Sequence, residues 1–259
     1  MIYQTFQPQL ALQTYVKEYL LLHFDFNFFS KKPIRTYTPQ PEQCLTFNPK
    51  GHLTAINKQT GEVQRRNYSY FSAQQISTYD LSLDTDYLML KIVFQPSAMF
   101  QLFKIPLDEF GGLYVDAETI FNKEMRLVNE QLANATKYLN MINIIENYLL
   151  QKVKKIKHQI QPIDNIATIL NNQPDQFSLQ SISSQVYLSP RQFERKFIER
   201  IGVRPKLYHR ITRFHRAFEL KNSNPKLDWL SVAIICGYTD FQHLNKDFKE
   251  FSTMTPTVF

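Results

Sequence analysis

Ser189-Pro190-Arg191-Gln192-Phe193-Glu194-Arg195-Lys196-Phe197, running on to Pro205-Lys206-Leu207-Tyr208, is answered fifty-one residues later. The second copy is Asp240-Phe241-Gln242-His243-Leu244-Asn245-Lys246-Asp247-Phe248, running on to Pro256-Thr257-Val258-Phe259. Apolar positions fall on apolar ones, Phe193 on Leu244, Phe197 on Phe248 and Tyr208 on Phe259, while Glu199 falls on Glu250 and Pro205 on Pro256. A pattern written twice implies one supersecondary unit built twice. Each copy holds the pieces of a helix-turn-helix that lays its second helix in a DNA major groove.

Working outward, Ser178 is placed to cap a supporting helix whose buried face is Leu179, Ile182 and Val186, and a sharp turn falls at Tyr187-Leu188. Ser189 caps the reading helix, Pro190 takes the first helical position where its missing N–H costs nothing, and Gln192 completes a capping box. With Phe193 and Phe197 inward, Arg191, Glu194 and Arg195 face outward near the helix start, where base edges are met. In the second unit Asp228, Trp229, Val232 and Ala233 stand fifty residues beyond Ser178, Leu179, Ile182 and Ser183, so one residue is added in its turn. Gly237 supplies a permissive backbone there and Asp240 caps the second reading helix. Leu244 and Phe248 then go inward, and Phe241, Gln242, Asn245 and Lys246 are expected outward. The reading helices are expected at about residues 189–200 and 240–251. Tyr208 to Lys221 reads as one long connecting helix with Ile211, Phe214 and Leu220 inside and Arg210, Arg213 and Arg216 outside.

Residues 156–259 resemble the AraC/XylS class of bacterial transcription regulators. The resemblance is carried by Leu188 through Phe197, by Gly202-Val203-Arg204-Pro205-Lys206-Leu207-Tyr208, by Arg213-Phe214-His215-Arg216-Ala217, and by Val232-Ala233-Ile234-Ile235-Cys236-Gly237-Tyr238 through Phe248 to Thr255-Pro256. It implies an all-α domain with two helix-turn-helix units in adjacent major grooves, and control of transcription initiation through contact with RNA polymerase. Tyr187 stands where that class usually has glycine and Ser183 where it usually has alanine, which predicts a less ideal docking of the first unit.

Charge follows the same division. Residues 178–259 carry thirteen Lys and Arg against seven Asp and Glu, whereas residues 1–150 carry thirteen against fourteen. A basic module joined to a near-neutral one is the footprint of a polyanion binder attached to something with another task. The first part reads as β-rich. Leu45-Thr46-Phe47-Asn48 and the alternating Leu88-Met89-Leu90-Lys91-Ile92-Val93-Phe94 predict strands, with turns at Asn48-Pro49-Lys50-Gly51 and Thr60-Gly61. Pro96 ends the last of them, and Ser97 is expected to cap a short helix through Leu102 and Phe103. After Gly111-Gly112 the recurrence of Leu127, Leu132, Leu139, Ile142, Ile145, Leu149 and Val153 predicts two helices, the second running into the basic segment Lys152 to Lys157. Pro162 opens a further helix striped by Ile163, Ile166 and Leu170 and closed by Asn171-Asn172-Gln173-Pro174. The expected fold is therefore α+β: a β-rich sensor or dimerisation domain with trailing helices at 1–155, then an all-α domain with two helix-turn-helix units at 156–259.

Several classes are disfavoured. Tyr19 to Phe26 is too short to span a bilayer and lacks a signal-peptide flank, so no membrane partner is expected and a cytoplasmic protein is. Cys44 and Cys236 form no paired spacing and read as reduced, buried thiols, and Trp229 as a core anchor. His23-Phe24-Asp25 falls short of a metal cluster, and no Gly-rich phosphate loop is present, so neither catalytic residues, a metal nor a cofactor is expected and the chain is not read as an enzyme. The expected partner is double-stranded DNA, read by Arg191, Glu194, Arg195, Phe241, Gln242, Asn245 and Lys246 and held at its phosphates by Lys196, Arg204, Arg210, Arg213 and Lys249. An activator is expected, with RNA polymerase as the partner that the resemblance implies. A small-molecule effector and a homodimer remain open for the first domain, the stripe Leu139, Ile142, Ile145 and Leu149 being the candidate pairing surface. Two alternatives stand beside this reading: a metal-dependent β-barrel enzyme fused to a DNA-binding domain, and an N-terminal module that serves protein interaction without a ligand.

Overall fold

The computed structural model describes residues 1–29, 32–110, 114–156, 161–172 and 177–258. Gly111-Gly112, Lys157, the helix stop Gln173-Pro174 and Phe259 lie outside them. The N-terminal part contains β1 (Ile2–Phe6), β2 (Val16–Asp25), β3 (Arg35–Tyr37), β4 (Cys44–Lys50), β5 (Leu53–Asn57), β6 (Val63–Arg65), β7 (Ser69–Ser72), β8 (Tyr79–Leu83), β9 (Asp86–Phe94) and β10 (Tyr114–Asp116). They form two antiparallel sheets, one ordered β1-β2-β9-β4-β7-β10 and the other β3-β8-β5-β6. Helices α1 (Ala98–Phe103), α2 (Ala117–Ala133) and α3 (Tyr138–Lys154) follow, and α4 (Ile166–Asn172) begins the C-terminal part.

Alternation along the strands makes this a layered structure, because successive side chains leave opposite faces of a sheet. On β2, Tyr19 and Leu21 join the main core with α2 and α3, while Leu20, Leu22 and Phe24 pack towards the second sheet. On β9, Leu88, Leu90, Ile92 and Phe94 point one way and Tyr87 and Met89 the other. The six-stranded sheet thus has helices on one face and the four-stranded sheet on the other, with a cavity between the sheets.

The predicted α+β class is what forms, with differences that have physical reasons. Ser97 has φ 66° and makes no side-chain cap, so α1 starts from a left-handed residue instead of a capped extended one. Leu127 and Leu139 are exposed. Ile142, Ile145 and Leu149 are buried in the N-terminal core, so the stripe on α3 is consumed inside the domain and is no pairing surface. The strand β10 was not legible in the sequence: three residues are too few for alternation to show.

The C-terminal part continues with α5 (Leu179–Gln185), α6 (Pro190–Ile201), α7 (Pro205–Ser223), α8 (Trp229–Ile235) and α9 (Phe241–Ser252). Two separate cores form on a shared spine. Ile163, Ile166, Leu170, Ile182, Phe193, Phe197 and Tyr208 make the first, and Ile211, Phe214, Ala217, Val232, Leu244, Phe248 and Phe251 the second. Because α7 contributes Tyr208 to one and Ile211 and Phe214 to the other, one continuous helix sets how the two units stand to each other.

The N-terminal sheets grip the ends of both α6 and α9. The last four carbonyls of a helix have no partner within it, and here side chains of the first domain supply donors. Gln43 Nε2 donates to the Arg200 carbonyl at 2.9 Å, Gln59 Nε2 to the Glu250 carbonyl at 3.1 Å, and the Thr78 hydroxyl to the Phe251 carbonyl. Gly202, which ends α6 at φ +92°, lies so near the first domain that a Cβ there would meet the Leu107 carbonyl at 3.1 Å and the Ala73 Cβ at 3.2 Å. Gly61 shares the left-handed conformation at φ +74° but faces open space. Urea denaturation should therefore show Gly61→Ala losing about 1 kcal/mol from backbone strain alone, and Gly202→Ala losing more. Equal losses would mean that α6 does not close-pack on the first domain.

Candidate nucleic-acid interface

Both units are closed by the same local chemistry. The Ser178 hydroxyl accepts from the Ser181 N–H at 3.3 Å and the Asp228 carboxylate from the Ser231 N–H at 3.0 Å, starting α5 and α8. In each turn one residue takes the left-handed conformation, Tyr187 at φ 56° and Gly237 at φ 74°. The next residue then folds back: the Leu188 N–H donates to the Ser183 carbonyl at 3.0 Å, and the Tyr238 N–H to the Ala233 carbonyl at 2.9 Å. Tyrosine in this place costs roughly 1–2 kcal/mol that glycine avoids. Its ring, 92% exposed, gains nothing from packing in return. Ser183 and Ala233 are both fully buried between paired helices, and Ser183 satisfies its hydroxyl on the Gln180 carbonyl at 3.0 Å.

The reading helices start one residue later than expected. The Ser189 hydroxyl accepts from the Gln192 N–H at 3.3 Å and the Gln192 side chain accepts from the Ser189 N–H at 3.2 Å, the predicted capping box, with Pro190 in the first turn. Asp240 accepts from the His243 N–H at 2.9 Å, and that backbone hydrogen bond holds its carboxyl below the usual range. Both α6 and α9 therefore present a capped N-terminus, whose free N–H groups and helix dipole favour phosphate.

Arg191 and Arg195 are exposed on α6, and Gln242 and Lys246 on α9. Arg191, Glu194, Arg195 and Arg204 line one open depression with the capping pair Ser189 and Gln192. Glu194 is half-buried with a carboxylate oxygen 3.9 Å from the Arg204 guanidinium, and Asn245 and Lys196 are also half-buried. Lys249 is exposed. Three expectations need correcting. Phe241 is half-buried and packs against the second core instead of facing outward. Arg210 does not stand free: its guanidinium donates to Asp247 at 2.7 Å and to Glu250 at 2.6 Å. Burial opposes the charge there, but the hydrogen bonds that Arg210 donates to Glu250 and Asp247 outweigh that and raise its pKa. Arg213 donates to the Gly237 carbonyl at 3.1 Å and lies 3.8 Å from Asp247, so it too ties α7 to the second unit. At Arg210 and Arg213 the outward positions of α7 meet Asp247 of α9, whereas Arg216 is exposed.

One residue that matters escaped the sequence reading. Arg200 is buried at the end of α6 and pairs with buried Asp164 at 2.7 Å, while its guanidinium sits 4.9 Å from the Phe100 ring of the first domain. The available signal was spacing, since 193, 197 and 200 share one helix face. Elsewhere the thiols Cys44 and Cys236 are buried. Trp229 is half-buried against the second core, 5.0 Å from the Phe248 ring. His23 bonds the Tyr138 hydroxyl at 2.7 Å and Asp86 at 2.9 Å. Among the described residues no group of three or more His, Cys, Asp or Glu could hold a metal ion, and no helix is long and apolar enough to cross a membrane.

Comparison with known proteins adds to this geometry. Residues 182–259 match a family model described as a helix-turn-helix domain, and residues 4–116 match one described as a domain of unknown function, DUF6597. Among solved structures, ToxT from Vibrio cholerae is 11% identical with a TM-score of 0.49, the match covering 93% of this chain and 97% of that one. Wild-type ToxT bound to an unsaturated fatty acid, from Vibrio cholerae strain SCE256, is 11% identical with a TM-score of 0.48, covering 93% and 94%. The AraC-like transcriptional activator CuxR is 12% identical with a TM-score of 0.27, covering 83% and 86%. Among curated proteins none matches the sequence.

The geometry separates scaffold from surface in a measurable way. Arg210→Ala removes the partner of nearly buried Asp247 and should destabilise the second unit by about 2 kcal/mol, whereas Ser189→Ala should cost about 1 kcal/mol through the lost cap. Arg191→Ala should leave the thermal midpoint unchanged. A midpoint for Arg210→Ala equal to the parent's would return that residue to the surface.

Proposed function

Proceeding from an AraC-type helix-turn-helix domain at the C-terminus, we propose that the chain is a sequence-specific regulator of transcription, an activator that sets α6 and α9 into successive major grooves on one face of a duplex. The observation that supports it most is the doubling. Two capped helices, fifty-one residues apart in sequence, each carry exposed hydrogen-bonding side chains at their beginning. Arg191 and Arg195 can meet guanine edges, and Gln242 an adenine edge. Lys246, Lys249, Lys196 and Arg204 suit phosphates, which position the protein without reading sequence. Glu194 and Asn245, half-buried, are assigned to base contacts at the groove wall. Phe241, Arg210 and Arg213 are withdrawn from the interface because their partners lie within the protein.

The division at residue 156 belongs to the same proposal. The first core reaches Ile156 and the next begins at Ile163, with a buried set of their own on each side. The first domain is assigned the task of sensing, through the cavity between its sheets. Activation through RNA polymerase follows from the resemblance to the AraC/XylS class.

Selection from a random duplex pool tests the base-reading assignment. Full-length protein should return a motif with two information-rich blocks, and Arg195→Ala should lose preference at one or two base pairs at a cost of roughly 1–3 kcal/mol on the parent site. Lys249→Ala should instead weaken all sequences alike and reduce the salt dependence by about one phosphate contact. The same motif from Arg195→Ala and parent would remove that arginine from base reading.

A further inference from the structure

The cavity between the two sheets holds a cation without an anion. Arg66 is buried at 5% exposure and lines the cavity. Its Nη1 donates to Gln64, but its Nη2 is buried without a hydrogen-bond partner. Of the described residues, none forms an ion pair with it. Two other cations line the cavity: Arg35 is exposed to solvent, and Lys91 is already matched, pairing with Glu42, whose carboxylate also accepts from the Tyr37 hydroxyl. The Lys91 charge holds the Glu42 carboxyl below its usual range against the opposing effect of burial.

Three tyrosine rings surround the free guanidinium, Tyr114 at 3.4 Å, Tyr79 at 5.5 Å and Tyr70 at 5.9 Å from its centre. Ring faces attract a cation. They offset part of the cost of burying one, but they accept no hydrogen bond in the guanidinium plane, where Nη2 still points unpaired. An arginine cannot escape by losing its proton. The missing element is an acceptor that carries one negative charge.

We propose that this cavity binds a small aliphatic monocarboxylate, its carboxylate on Arg66 Nη2 and its apolar body against Leu20, Leu22, Leu53, Leu83 and Met89. The charge count fixes the head group. Arg66 is the one unmatched cation of the lining that is buried, and it neutralises one anionic charge, whereas a phosphate dianion would leave a second charge buried beside Glu42. The apolar end fixes the body, since those side chains offer nothing to hydroxyls. Size fixes the length: the cavity measures about 110 Å³, and because an apolar cavity of about 150 Å³ takes benzene, a branched acid of about five carbons is the fitting scale. The site also adjoins the grip on the reading helices. Gln43, which holds α6, follows Glu42 in the chain, and Thr78, which holds α9, precedes Tyr79. That the ligand alters DNA occupancy rests on the reading of the chain as a regulator; its binding does not.

Isothermal titration calorimetry of the full-length protein tests the proposal, with 3-methylbutanoate, the uncharged 3-methylbutanamide and inorganic phosphate as probes. The acid should bind with a dissociation constant on the order of 100 µM, at least tenfold more tightly than the amide, and phosphate should neither bind in the cavity nor displace it. Arg66→Met should abolish the preference for acid over amide, and Arg66→Lys should keep it in weakened form. Equal binding of acid and amide by the unmodified protein, no binding of the acid at 10 mM, roughly a hundred times the expected constant, or displacement by phosphate would each overturn the assignment without depending on how any variant folds. Duplex binding by the ligand-free protein, measured on the same samples, reports on the regulator reading separately.

Discussion

Arg200 is the point on which the two halves of the molecule turn. It ends the first reading helix, yet its side chain is buried, paired with Asp164 in the segment that leads into the C-terminal part and set beside Phe100 of the first domain. Its carbonyl accepts the Gln43 amide. Removing one partner of a buried pair leaves the other charged and unsolvated, a cost of roughly 3–5 kcal/mol. The segment before α4, the end of α6 and the N-terminal part therefore meet at one residue, through its guanidinium and its backbone carbonyl. A helix whose capped start is exposed is anchored to the rest of the protein through its end.

The same logic is repeated at α9, where Glu250 and Phe251 offer their carbonyls to Gln59 and Thr78. Between the two anchors runs α7, bound to the second unit by Arg210 and Arg213 and to the first by Tyr208. Two links then determine how the readers stand relative to each other, a rigid spine on one side and the sheet edges on the other. The spine is apolar and closely packed. At α9 the first domain holds on by side-chain hydrogen bonds from Gln59 and Thr78, each worth about 1 kcal/mol net, so they are the ones that a modest change in the first domain can exchange. This asymmetry gives a physical route from a ligand in the cavity to the spacing of two helices some distance away.

How much of this was legible in the sequence depended on whether the information was local. Ser178, Ser189 and Asp240 were readable as caps because a cap acts within three residues, and the structure has each of them accepting an N–H three residues on, as Asp228 does at the position matching Ser178. The fifty- and fifty-one-residue offsets carried through to the helix bounds. Apart from the Ser97 cap, which its left-handed backbone prevents, what failed was non-local. Arg210 has an outward position on its own helix, and nothing in residues 205–223 announces that Asp247 and Glu250 will arrive to bind it. Leu139 fits the stripe of α3 but lies at its exposed start, and Arg66 looks like one of many surface arginines until Tyr79 and Tyr114, distant in sequence, close around it together with nearby Tyr70. The cavity between the sheets is a product of strand pairing, and pairing partners are not written in any one strand.

The central claim is that two readers engage one duplex together. Hydroxyl-radical footprinting of the full-length protein on its selected site measures this directly. Two protected zones about one helical turn apart, roughly 10 base pairs, are expected on the same face of the duplex, both lost together when α7 is interrupted by Ala217→Pro. A single protected zone, or two zones on opposite faces, would contradict it.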